Sequence, residues 1–334
     1  MELQDKEYKI VTFQKEYEDV WDQFVLQESC NGCFLQTRNF FNYHSEGKYR
    51  DCSLMFYRKE QLMAVCPACE IREGNEKIFS SHSGSTYGGI IVSSDMLRAE
   101  KMLKLVDEFE AYLTEMGFVK CVLKQTNPLL DRMPADLLEY CLYYRKYKEY
   151  KELNLYIDFE HYYKEDIFKN FSKLKKRLAK KCINADMEVR ELIDKDDIKR
   201  FHEVLTDNLQ KYNLKPYHTV EDLLDLKNRF PHNIEFWGGI YDNKIVAVSM
   251  VFLFESTRCA HTQYLAADSE YGKLSPMTYI YYKMIEIYKD RDIRYLSWGI
   301  TTEHLGLEIN ENLTNTKEEY GSHHNITKIY EKVL

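Results

Sequence analysis

The sequence predicts an α/β fold (α+β in the broader sense) built as two tandem modules, each a mixed sheet flanked by helices. Three observations carry this. The chain has 334 residues, more than one ordinary core holds and suited to two domains of about 150 residues. One order of elements (hairpin, strand, helix, strand) is written twice along it. Hydrophobic residues make up 44% and aromatics 14%, enough for two packed cores, and no low-complexity tract or Pro/Ser linker interrupts them.

In the first half, residues 52–57 (CSLMFY) form an apolar run, Arg58-Lys59-Glu60-Gln61 a polar turn, and residues 62–65 a second apolar run leading into Cys66. That is a hairpin pattern. Strand-like segments follow near 77–81 and 88–92. A helix is expected from Ser94-Asp95, both good caps, with Ala99, Met102, Leu103, Val106, Phe109, Leu113 and Met116 as its apolar stripe. Gly117 would end it, as glycines after helices do, and 118–123 (FVKCVL) is the next strand.

The second half repeats this. Residues 235–241 and 245–254 flank the turn Asp242-Asn243-Lys244, and 258–266 is a further strand. Ser275-Pro276 opens a helix, with serine as N-cap and proline at the first helical position. Its stripe is Met277, Ile280, Tyr281, Met284, Ile287 and Tyr288; residues 293–298 (IRYLSW) close the unit. "YRKEQLMAV" and "YDNKIVAV" correspond in position and character, so we read a duplication of one α/β module. Leu153, Leu155, Ile157 and Phe159 alternate with polar residues and start the second module, and the charged segment 143–151 marks the boundary. The expected domains are 1–150 and 151–334, with C-terminal residues packing back on the first.

A net charge of -8 argues against general affinity for nucleic acid, which needs a basic surface. The start, MELQDKEYKIVTF, lacks an apolar signal core, and no stretch approaches 18 apolar residues, so a cytoplasmic protein with no integral membrane association is expected. Nine cysteines, an odd number, read as reduced thiols. Two pairs, Cys30/Cys33 and Cys66/Cys69, have CxxC spacing. Cys66 continues an apolar strand rather than a glycine-bearing knuckle, residues 34–65 separate the pairs, and no helical pattern follows Cys69. Buried core cysteines are therefore expected, and no metal.

Four stretches, "GCFLQTRNFFNYH", "LMAVCPACEI" with "SHSGSTYGGI", "NFSKLKKRLAKKCINADMEVREL" and "SWGITTEHLGLEINENLTNTKEEYGSHH", occur in the order in which similar segments occur in the FemAB branch of the GNAT superfamily of acyltransferases. The chain resembles that family along nearly its whole length. The resemblance implies a duplicated GNAT-like fold and transfer of an acyl group to an amine of a bacterial cell-envelope or polysaccharide precursor. Acetyl-CoA or another acyl-CoA would be the donor. The acceptor would be a small molecule, such as a nucleotide- or lipid-linked amino sugar. Relatives with a coiled-coil arm use aminoacyl-tRNA; no sustained heptad run occurs here. The usual pyrophosphate loop, Gln/Arg-x-x-Gly-x-Gly/Ala, is replaced by Ser269–Pro276 with one glycine.

Acyl transfer to an amine needs a polarised carbonyl, a deprotonated amine and exclusion of water, with no obligatory nucleophile. None is evident: no Gly-x-Ser-x-Gly occurs. His261, Gln263 and Tyr264 are the catalytic candidates, with His261 and Gln263 expected on one strand face; a hydrogen-bonded core histidine is the alternative. Leu265, Tyr271, Gly272, Lys273 and Ser275 are candidates for the donor, because a helix N-terminus offers N–H groups to phosphate; an ordinary capped turn is the alternative. Lys173, Lys176, Arg177 and Lys180 fall three or four apart on one helix face, opposite a stripe of Phe171, Leu174 and Leu178. Lys176 and Arg177 there suit a phosphate-bearing acceptor or simply face solvent. The resemblance adds Trp298, Thr301, Asn310 and Lys317 beside the acceptor; Ser83, Tyr87 and Gly88 would line the same cleft. Trp237 is expected in the core. Two other readings are an aminoacyl-tRNA-dependent transferase acting on a peptidoglycan precursor and a non-catalytic binding protein that has lost its donor site.

Overall fold

The structure, a computed structural model, describes residues 6–81, 83–211 and 213–334. The first five residues of the N-terminal segment, His82 of "SHSGSTYGGI" and Tyr212 lie outside the described residues. The chain forms two compact units. The first holds Met1–Glu152, His304–Leu307 and Ile326–Leu334; the second holds Leu153–Glu303 and Glu308–Asn325.

The first unit contains β1 (Lys9–Thr12), α1 (Glu18–Gln23), α2 (Arg38–Phe41), β2 (Leu54–Arg58), β3 (Gln61–Cys66), β4 (Cys69–Glu73), β5 (Glu76–Ser80), β6 (Ile91–Val92), α3 (Ala99–Glu115), β7 (Phe118–Lys124), α4 (Asp136–Tyr144) and the start of β8 (Lys148–Asp158). The second contains the rest of β8, then α5 (Lys173–Ile183), β9 (Glu188–Glu191), α6 (Lys195–Gln210), α7 (Val220–Arg229), β10 (Ile234–Tyr241), β11 (Lys244–Phe254), β12 (Cys259–Ala267), α8 (Pro276–Asp290), β13 (Tyr295–Ile300), β14 (Thr302–Glu303), β15 (Glu308–Ile309) and α9 (Glu311–Glu318). The last strand, β16 (His323–Val333), begins in the second unit and ends in the first.

The two units share one wiring. In the first, β4 pairs antiparallel with β5, and α3 carries the chain to β7, parallel to β5. In the second, β11 pairs antiparallel with β12, and α8 leads to β13, parallel to β12. The counterpart of β11 is split into β3 and β4. Pro67 has no N–H to give to a ladder and falls at the break, so β3 joins the order β1-β2-β3-β6 while β4 joins β4-β5-β7-β16. The Ser53 hydroxyl receives the Ala68 N–H at 3.0 Å, which closes the gap.

Each unit has its own core. In the first, Phe56, Phe79, Val106, Phe109, Leu113 and Leu123 are fully buried. In the second, Ile157, Val251, Ile280, Met284, Tyr288 and Leu296 are. Cys30, Cys33, Cys66 and Cys69 are all buried and free, Cys66 and Cys69 in or beside strands. Burial pushes the Cys66 thiol well above its ordinary pKa and holds Cys33 up at about 12. Among the described residues no three His, Cys, Asp or Glu come together as a metal would require.

Several expectations are corrected. Residues 88–92 give only the two-residue strand β6. Ser94-Asp95 form a 3₁₀ turn, and α3 begins at Ala99 behind Arg98 without a side-chain cap. In α3 it is Leu105 that joins Met102, Val106, Phe109 and Leu113 in the core, whereas Ala99 is exposed and Met116 is 46% exposed. Ser275 is left-handed, with φ 68°, and its hydroxyl caps nothing; Pro276 does occupy the first position of α8. The buried residues of α5 are Ala179 and Cys182; of the expected stripe only Phe171, ahead of the helix, is buried, while Leu178 is half-buried and Leu174 is 44% exposed. Gly117, at φ 77°, ends α3 as expected.

Candidate active site

Strand β13 parts from β12. The two are paired only at Cys259–Tyr295, Ala260–Leu296 and His261–Ser297, whereas β12 stays paired to β11 as far as Ala267. Among the described strands, none is in register with residues 262–267 on the opposite edge, where Asn208 Nδ2 donates to the Ala267 carbonyl at 3.4 Å. Two irregularities shape the opening. On β12, Thr262 pairs Val251 and Tyr264 pairs Met250, so Gln263 is an extra residue in a bulge. On β13, Ser297 pairs Tyr156 and Gly299 pairs Leu155, leaving Trp298 as the extra residue. The first unit keeps the corresponding strands joined. The Ser81 N–H donates to the Val122 carbonyl at 2.9 Å, the Lys124 N–H to the Ser81 hydroxyl at 2.7 Å, and the Gly88 N–H to the Lys124 carbonyl at 2.9 Å.

The bulge corrects one expectation. His261 pairs Phe252, and Tyr264 pairs Met250, two positions along β11. His261 and Tyr264 therefore share a face, and Gln263 falls outside the alternation. The side chains of Gln263, Tyr264 and Leu265 are half-buried.

His261, 5% exposed, sits at the point of parting in a chain of polar groups. Its Nδ1 lies 3.0 Å from the Ser297 hydroxyl, which donates to Asn154 Oδ1 at 3.2 Å. Asn154 Nδ2 donates to Asn325 Oδ1 at 2.7 Å, which fixes the amide. A serine has one proton, and here it goes to Asn154. Ser297 Oγ must then accept from His261 Nδ1–H, so Nε2 is the acceptor nitrogen of the ring. Gly299, at φ 76°, clears the ring: a Cβ there would lie 3.4 Å from His261 Cε1.

Tyr264 points to a different partner. Its hydroxyl is 2.8 Å from His218 Nδ1, and burial pushes its pKa up to about 12, which makes it a neutral hydrogen-bonding group rather than a base.

Lys317 is buried, 4% exposed, and turned inward. Its ammonium donates to the carbonyls of Trp298 at 2.7 Å, Gly299 at 3.2 Å and Ile300 at 3.1 Å. It clasps β13 where that strand leaves β12, and burial lowers its pKa to about 7. Asn310 caps α9, its Oδ1 accepting from the Leu313 N–H at 3.1 Å. Trp298 packs on Tyr281, with ring centroids 4.8 Å apart, and donates to the Ser322 hydroxyl at 2.9 Å. The Thr301 hydroxyl is buried without a partner among the described residues. Trp237 is in the core, as expected, donating to Tyr288 at 3.0 Å and Glu235 at 3.1 Å.

The donor turn is a poor anion cradle. Pro276 has no N–H, and the Thr278 N–H is taken by the Ser275 carbonyl at 3.0 Å. The turn's carbonyls are held from α5. Lys181 donates to Lys273 O at 2.6 Å, and the Cys182 thiol lies 3.1 Å from Leu274 O and 3.5 Å from Ser275 O. Beside Tyr271 and Ser269 a cavity is lined by three acids, Asp207, Asp268 and Glu270, and by Lys211, Lys244 and Arg200, the last paired to Asp268 at 2.7 Å and to Glu203 at 3.2 Å. Gly272 and Lys273 are exposed.

Ser83 is half-buried and Tyr87 buried in the first unit. In their loop the Gly84 carbonyl lies 3.1 Å from His44 Nε2, and the Ser85 hydroxyl donates to Leu35 O at 2.9 Å. Lys176 and Arg177 are on α5 with no ion-pair partner among the described residues. The structure thus gathers His261, Trp298 and Lys317 around one point. Ser297, Asn154 and Gly299 complete that point and were missed, since nothing in their local pattern marks them.

Residues 169–305 match the acetyltransferase (GNAT) domain family. No curated protein matches the sequence. Among solved structures, FemX aligns over 98% of this chain and 97% of its own, with TM-score 0.66 and 10% identity. A tandem GNAT protein from the clavulanic acid biosynthesis pathway aligns over 98% of both chains, with TM-score 0.57 and 6% identity. L-PGS from Bacillus licheniformis aligns over 83% of each, with TM-score 0.56 and 9% identity. The fold is that of tandem GNAT proteins, and residues 169–305 carry the match to the acetyltransferase (GNAT) domain family. No described helix is long and apolar enough to cross a membrane.

Proposed function

We propose that the second unit transfers an acyl group to an amine of a cell-envelope precursor, at the parting of β12 and β13. The observation that carries this is the stretch of β12 that runs on beyond its pairing with β13, with His261 hydrogen-bonded to Ser297 at the parting, inside the segment that matches the acetyltransferase family. A free strand edge presents backbone N–H groups to an acyl carbonyl. His261 Nε2 takes the proton as the amine nitrogen attacks the carbonyl carbon. The new C–N bond forms, the C–S bond of the thioester breaks, and the sulfur leaves as a thiol once protonated. Lys176 and Arg177 suit the phosphates of a nucleotide- or lipid-linked amino sugar. The envelope acceptor rests on the FemAB resemblance of the sequence.

An acyl-CoA is the first reading of the donor. The weak anion cradle at 272–278 favours a second, an aminoacyl-tRNA, whose ester C–O bond would break in place of C–S. The test is the thermal unfolding midpoint with acetyl-CoA, other acyl-CoAs or aminoacyl-tRNA, because a ligand of the native state raises it by mass action. A rise with a CoA thioester that disappears in Lys273→Ala supports the first reading, and a rise with aminoacyl-tRNA alone supports the second. No rise with either leaves a non-catalytic binding protein.

A further inference from the structure

We propose that α5 docks the second unit on an anionic lipid bilayer. The chain is acidic overall, at -8, yet α5 turns Lys173, Lys176, Arg177 and Lys180 outward around one another. None of these four has a carboxylate partner among the described residues. Neighbouring cations do, as Lys175 shows with Glu319 at 3.3 Å. Lys180 lies over the Phe168 ring at 5.6 Å, but four cations without a carboxylate on a helix about 16 Å long repel one another, so the face is complementary to a dense anionic surface.

The chemistry of the face favours lipid over RNA. Three of the four cations are lysines, point charges on long aliphatic stems that lie along an apolar surface while the ammonium reaches headgroups. Leu174, 44% exposed, and Ile183, 39% exposed, flank the basic arc, and Leu178 lines it. Of the residues of α5 (KLKKRLAKKCI), none is aromatic, so no side chain of the helix can stack on an unpaired base. The opposite side of α5 is fixed in the fold by Ala179 and Cys182, and Lys181 ties the helix to the turn before α8. A docked α5 therefore holds the acetyltransferase domain at the bilayer surface. This deepens the reading above by making the acceptor lipid-linked, and it rests on that reading only for its purpose.

The experiment is co-flotation of the full chain with phosphatidylcholine vesicles, with and without about a third phosphatidylglycerol. Binding is expected to the anionic vesicles alone and to be screened out at about 0.5 M salt. Lys173→Glu/Lys180→Glu should lower it about tenfold or more with the unfolding midpoint kept. Leu174→Ser, which leaves the charge unchanged, should weaken it about twofold or more. Equal binding to neutral vesicles, or binding to bulk tRNA with none to anionic vesicles, overturns the proposal. Acyl transfer to a water-soluble amine, measured in the same variants, reads the catalytic reading separately. If vesicles bind but no donor does, the docking surface stands and the catalytic reading falls.

Discussion

His261 is set by its neighbours more than by its own sequence context. Ser297→Ala leaves Nδ1 without the acceptor that fixes the tautomer, so acyl transfer should fall about 10- to 100-fold and its pH profile should shift while donor binding holds. A loss confined to binding would point to a substrate contact instead. Asp131, in the first unit, offers a test of stability. Burial, then the charges of Glu139 and Asp136, raise its carboxyl to about 8, and its Oδ1 has no partner. The native state thus binds a proton that the unfolded chain releases near the ordinary aspartate pKa of about 4. Its contribution is full below that pH and is lost as pH rises towards 8. Asp131→Asn should flatten that decline in denaturant unfolding between pH 5 and 8, leaving it about 1–3 kcal/mol more stable at the upper end.

At the scale of elements, the end of β13 is held by a side chain from α9. Lys317→Met keeps the length of the side chain and removes the donor, leaving the carbonyls of Trp298, Gly299 and Ile300 without it. A loss of about 2–3 kcal/mol in urea unfolding is expected, with acyl transfer lost as the parting of β12 and β13 loosens. Gly299→Ala places a Cβ against His261 at a backbone angle few other residues adopt. It should cost about 1 kcal/mol or more and slow transfer. Unchanged kinetics would show that the histidine ring tolerates displacement.

Over the whole molecule, eight of the nine cysteines are buried and Cys52 is partly so. Burial, first among the causes, raises the Cys52 thiol as well. A thiol reagent should find about one reactive group or none in the native protein and nine after denaturation; rapid native labelling of several would contradict the packed cores. The sequence by itself determined the two modules, because apolar periodicity and turn residues such as Asp242-Asn243 act locally and recur in register. It also named His261, the turn before α8 and the basic run of α5 as candidates. It placed the apolar face of α5 wrongly, because Leu174 reads as core by type and only the packing of Ala179 and Cys182 shows which side faces in. The strand parting was hidden for the same reason. A bulge at Gln263 is a relation between β12 and β11, and the clasp from Lys317 to residues 298–300 joins groups distant in the chain. Local pattern fixes which segments become strands and helices. Which edges stay open, which protons are fixed and which lysine turns inward are decided only where separate segments meet, because hydrogen bonds and burial are properties of pairs of segments.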